Sequence, residues 1–127
     1  MENDYWPHFL EEKGVFLDAL EIVRVRDFNN LPFLYKFEFS NQFMDEIAAA
    51  GSNRLRILQQ IVKRLILTRQ NAARDGSLQD EYISTEREHR FRVTPRPSSI
   101  RIHYNYLNGN DIKFLHYYDV GHHDDGL

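Results

Sequence analysis

The chain has no cysteine, which excludes disulfide bridges and thiolate chemistry and fits a reducing, cytoplasmic setting. It has no apolar run near the roughly 18 residues that a membrane span requires. Its acidic start, Met1-Glu2-Asn3-Asp4, lacks the positive charge of a secretory signal. Neither an internal repeat nor a low-complexity tract interrupts it, and acidic residues are missing from the whole stretch between 47 and 74. What is left is the composition of one folded domain. Its 127 residues, 42% hydrophobic and 13% aromatic, suffice for a sizeable core.

A net charge of −3 hides a polarity along the chain. Residues 1–46 hold four basic side chains against ten acidic ones, a net of −6. Residues 54–101 hold eleven against five, a net of +6, and residues 102–127 hold Lys113 against four acids, a net of −3. A pI near 6.0 argues against a general nucleic-acid coat protein, while a basic middle can still face a polyanion locally. A solvated basic helix face is the plainer reading of such a run.

Taken in order, residues 5–20 read as an acidic helix, with Phe9, Leu10, Phe16, Leu17 and Leu20 for burial. Residues 21–26, EIVRVR, read as a strand, although Ile22 breaks strict alternation. Residues 34–39, LYKFEF, form a better strand, with Tyr35, Phe37 and Phe39 on one face. Ser40 or Asn41 can cap a helix that runs to Ala50 and stops at Gly51. A longer helix is expected over residues 53–70. Leu55, Leu58, Val62, Leu65 and Ile66 make its buried stripe, and Arg54, Arg56, Lys63, Arg64 and Arg69 its exposed basic face. Residues 71–81 read as a loop.

The C-terminal third carries the clearest pattern. Residues 89–94 alternate Phe91 and Val93 against Arg90 and Arg92; residues 100–106 alternate Ile100, Ile102, Tyr104 and Tyr106 against Arg101, His103 and Asn105. Such alternation is what a sheet with one buried face demands. Residues 95–99, with Arg96 between two prolines, separate these strands. Residues 108–111, NGND, close a hairpin to a third strand over 112–118, which runs into Gly121-His122-His123-Asp124.

Strand, helix, helix and three strands, carried by YKFEFS, the Leu- and Arg-rich helix, HRFRV, SIRIHY and IKFLHYYDVGHHDD, resemble the RelE/ParE superfamily of type II toxin–antitoxin toxins over residues 33–127. The resemblance implies an α+β fold: a small, mostly antiparallel twisted sheet with two helices packed on one face. Residues 1–32 lie outside it as an N-terminal extension, an acidic helix and an added edge strand. It further implies a cytoplasmic mRNA endoribonuclease acting on the ribosome and neutralised by an antitoxin, which the net +6 of residues 54–101 predicts to be acidic, with no cofactor and no membrane partner. In such chemistry the 2′-OH attacks the neighbouring phosphate. A base, cations for the developing charge and an acid for the leaving oxygen are needed, and a metal is not. Arg90, Arg92 and Arg101 resemble the family's basic strand residues, and His122 and His123 its basic or histidine position beyond the last strand; these five are the catalytic candidates. Arg54, Arg56, Lys63, Arg64 and Arg96 are the further RNA-binding candidates. The chain departs from the pattern in that no tyrosine follows His123.

Other readings stay open. A gyrase poison would need no catalytic residue, and a non-catalytic protein-binding module would keep only the fold. Each arginine can simply bridge a surface carboxylate. His103 and His116 read as half-buried strand histidines, and Tyr104, Tyr106, Tyr117 and Tyr118 as core or half-core. His122-His123-Asp124-Asp125 has metal-ligand residue types, but neighbours in an extended segment point to opposite faces, so a closed site would need ligands from elsewhere.

Overall fold

A computed structural model of the chain describes residues 13–93 and 100–119. Phe9, Leu10, the turn at 95–99 with Arg96, and the segment holding His122 and His123 lie outside those residues. The first element is a helix, α1 (Lys13–Asp27). Phe16, Leu20 and Val23 recur at steps of four and three, the spacing of one helical face, and all three are buried. Residues 21–26 are therefore the second half of a helix and not an edge strand. The cause is tertiary: the stripe packs against a later helix, while Ile22 and Val25, 60% and 52% exposed, fall on the outer side. Asn29 and Asn30, at φ 54° and 60°, end α1 in a left-handed conformation that asparagine tolerates. Arg24 then donates to the Asn30 and Leu31 carbonyls at 3.0 and 2.8 Å, folding the chain back.

β1 (Phe37–Phe39) leads directly into α2 (Asn41–Ala48). Ser40 is its N-cap, the hydroxyl accepting from the Phe43 N–H at 3.0 Å. Gly51, at φ +62°, supplies the left-handed stop and opens a short 3-10 turn into α3 (Arg54–Ile66). Residues 71–81 are not a plain loop. Thr68 caps α4 (Arg69–Arg74) through the Asn71 N–H at 3.1 Å, and β2 (Glu81–Ile83) begins a hairpin with β3 (Glu88–Arg92). β4 (Ile100–Leu107) and β5 (Asp111–Asp119) complete the sheet, joined by a turn with Asn108 and Gly109 at positive φ, as the NGND stretch predicts.

The five strands lie in the order β1-β5-β4-β3-β2, with β1 and β5 parallel and every other pair antiparallel. The fold is α+β, with a mostly antiparallel mixed sheet. Its core faces the helices: Phe39, Phe43 and Phe114 stack with centroids 5.2–5.7 Å apart, and Phe91, Ile102 and Tyr104 lie fully buried beside them. α3 packs against α1 and, through Gln60 and Arg64, against β3 and β4, so both its flanks are covered. Ile57 and Ile61 join Leu58, Val62 and Leu65 in the core, and Leu55, expected inside, is 48% exposed. Phe16 and Leu20 belong to the same buried cluster as Phe91 and Phe114. From residue 13 onward the N-terminal segment is thus part of one core.

Candidate functional site

The register of β3, β4 and β5 assembles the site on the sheet face turned away from the helices. Arg92 pairs with Arg101, Arg90 with His103, and His103 with His116. Directly opposed residues share a face, so Arg90, Arg92 and Arg101 stand together, as the alternation predicts. Their exposure differs. Arg90 is half-buried and bound to Glu81 across the hairpin at 3.0 Å, Arg92 is half-buried, and Arg101 is only 9% exposed. Arg101 donates to the Ile100 carbonyl at 3.3 Å.

Strict alternation along β5 would place His116 with Ile112 and Phe114 in the core. A register shift prevents this: His103 pairs with His116 while Tyr104 pairs with Phe114, so Leu115 is an extra residue, a β-bulge that re-aims the side chains after it. His116 turns to the arginine face, and Tyr117 packs toward the core. α2 holds the backbone groups that the bulge displaces. The Ser40 hydroxyl donates to the Leu115 carbonyl at 2.5 Å, and the Glu46 carboxylate accepts the Tyr117 N–H at 2.7 Å.

His116 thereby meets His103 ring to ring, with centroids 4.5 Å apart and planes 17° from parallel. Glu88 Oε1 lies 3.0 Å from His103 Nδ1 and 3.2 Å from His116 Nε2, and Glu86 lies 3.4 Å from His103 Nδ1. Burial pushes the His103 imidazole below its ordinary pKa and His116 adds to that, against the pull of Glu88 and Glu86. Among the described residues, Glu88, His103 and His116 form a group with metal-ligand chemistry, their donor atoms all within 4.8 Å of one another.

The basic face expected on the second long helix does not exist as such. Arg64 is fully buried and Arg54 is 7% exposed. Arg64 donates to the hydroxyls of Tyr35, Tyr104 and Tyr106 and to the Leu67 carbonyl, and pairs with Asp80 at 3.3 Å. Burial opposes its charge, but the surrounding Tyr104, Tyr35 and Asp80 oxygens outweigh that and raise its pKa. Burial and Asp80 push the Tyr104 phenol up as well, so it stays protonated and donates to Asp80 at 2.7 Å. Lys63 is tied to Ser77 at 2.6 Å and Asp75 at 3.3 Å, and Arg56 bonds Asn53. Arg69 lies over the Tyr106 ring at 3.5 Å and donates to the Gly109 carbonyl. Arg64 and Arg69 thus tie α3 and α4 to β4 and its turn, while Lys63 holds the loop before β2 and Arg56 the turn before α3, away from the arginine row.

The sequence alone points to no role for Glu86, Glu88 or Asp80, and it marks His103 and His116 only as strand residues. A hairpin counted outward from NGND with no bulge sets His103 opposite Leu115, so the pair is legible only once the bulge is known. Compared with known proteins, the chain matches no family model, no curated protein and no solved structure.

Proposed function

We propose that the chain is a toxin-like component of a type II toxin–antitoxin pair that cleaves mRNA without a metal in the reaction. The observation that carries this is the pairing of Arg92 with Arg101, with Arg90 two residues along on the same face, opposite the described helices. A row of fixed guanidiniums can hold a phosphate backbone and stabilise the charge that develops as the 2′-OH attacks. The element order supports the same reading. From Phe37 onward it runs strand, helix, helix, then three strands ending in β5, with α4 and β2 inserted before the last three. His122 and His123 carry the proton transfers in this scheme, since a histidine near pKa 6.5 can act as acid or base and an arginine cannot.

The test is cleavage of single-stranded and ribosome-bound RNA by the full chain in excess EDTA. Arg92→Ala and Arg90→Ala should each lower the rate about 10²-fold without shifting the unfolding midpoint. Wild-type chain that leaves both substrates intact ends the nuclease reading. A second reading, a non-catalytic protein-binding module, is favoured by the burial of Arg101 and the engagement of Arg90 by Glu81. Capture of an acidic partner that survives Arg92→Ala, with no RNA cleaved, selects it.

A further inference from the structure

We propose that Glu88, His103 and His116 form a binding site for a divalent transition-metal ion, zinc by the chemistry of its donors. The proposal does not depend on the chain cutting RNA.

Two imidazoles and a carboxylate are a common set of three protein ligands for zinc, leaving a fourth position for water or another oxygen. Ligand atoms of a tetrahedral shell with bonds of about 2.0–2.1 Å lie about 3.3 Å apart. Here the carboxylate oxygen is 3.0 and 3.2 Å from the two nitrogens, so that edge length is already approached. The third separation, at most 4.8 Å, closes with a small rotation of His116 or Glu88, both partly exposed.

Three features separate this cluster from a chance meeting of surface residues. Both histidine nitrogens converge on the same oxygen, Glu88 Oε1, and do not divide between the two. His103 is fully buried, so one ligand is fixed while two can adjust. The bulge that aims His116 at the cluster is held from α2 by Ser40 and Glu46. Glu86, 3.4 Å from His103 Nδ1, supplies a second carboxylate, and together the two acids offset the ion's double charge. A fourth coordination position would share the sheet face that carries Arg90 and Arg92. The ligand it would take is therefore water or an anionic oxygen, phosphate included.

The experiment uses the full chain without an affinity tag, stripped with chelator and titrated with zinc chloride by calorimetry. His122→Ala/His123→Ala serves as the control for the tail histidines. The expected result is one tight zinc per chain, weakened at least about tenfold by His116→Ala and by Glu88→Gln and retained in the tail variant. Zinc should raise the thermal midpoint of the wild type and the tail variant but not of His116→Ala. The apo midpoint of His116→Ala reports whether that variant folds, and Glu88→Gln provides the second reading if it does not. Zinc affinity unchanged in both site variants, lost in the tail variant, or absent at micromolar ion overturns the site. RNA cleavage in EDTA is indifferent to each of these outcomes.

Discussion

Arg64 shows how residue type can mislead about residue role. A cation on a basic helix is ordinarily solvated, yet this one is fully buried among three tyrosines and an aspartate. Removing one partner of a buried pair leaves the other charge uncompensated. Arg64→Ala should destabilise the fold by about 3–5 kcal/mol in urea unfolding, and adding Asp80→Asn should recover part of the loss. Full additivity of the two changes would mean that the pair is not coupled. Asp75 makes a pH-dependent contribution. Burial raises its carboxyl, but Ser77, the Leu78 N–H and Lys63 outweigh that and leave its pKa below the ordinary 3.8. A depressed carboxylate stabilises the fold above its unfolded pKa, and the contribution is lost as pH falls through the lower folded value. Asp75→Asn should therefore cost about 1–2 kcal/mol at neutral pH. The gap to wild type should close below pH 3.8; a gap constant from neutral pH down to acid unfolding would refute the assignment.

Elements here are settled by what they pack against. Apart from Ile22, EIVRVR has the alternation and β-branched content of a strand, but Val23 continues the spacing begun by Phe16 and Leu20, and burial of that stripe decides for helix. Propensity is a weak prior that such packing overrides. α2 illustrates the converse, a local signal that also serves at long range. Ser40 caps the helix and, with the same hydroxyl, donates to the Leu115 carbonyl in the bulge of β5. Ser40→Ala should cost about 1 kcal/mol, and Glu46→Ala should release the Tyr117 N–H that it now accepts. Both changes should alter the His116 ring resonances in NMR spectra, because they loosen the bulge that orients that side chain. Unaltered His116 resonances in both variants would mean that the bulge holds itself.

At the scale of the molecule, cations serve two separate purposes. Arg64 and Arg69 join α3 and α4 to the sheet, and Arg90, Arg92 and Arg101 line the opposite face. Single-strand binding loses affinity with salt at a log–log slope of about −0.7 for each phosphate neutralised. Three arginines on the backbone predict a slope of about −2, reduced by about 0.7 in Arg92→Ala and unchanged in Lys63→Ala. A filter-binding series in increasing salt measures it; equal effects of the two substitutions would return the basic helix to the interface. Deletion of residues 1–18 tests the shared core. It removes Phe16 from contact with Phe39, where the ring centroids are 4.7 Å apart. The truncated chain should aggregate in size-exclusion chromatography, and a soluble, folded product would show the segment to be dispensable.

Period-two rows at residues 89–94 and 100–106, the NGND turn, the Ser40 cap and the Gly51 stop are all legible locally. Each is imposed by backbone geometry within a few residues. So is the shared face of Arg90, Arg92 and Arg101, because alternation transmits across any antiparallel register that pairs Phe91 with Ile102. The helical state of residues 21–26, the burial of Arg54 and Arg64, and the strand at Glu81–Ile83 are not, since each depends on a neighbour distant in the chain. The meeting of Glu88, His103 and His116 lies furthest from view. It needs one unpaired residue in β5, and a bulge is stable where a distant hydroxyl and carboxylate satisfy the backbone groups it displaces.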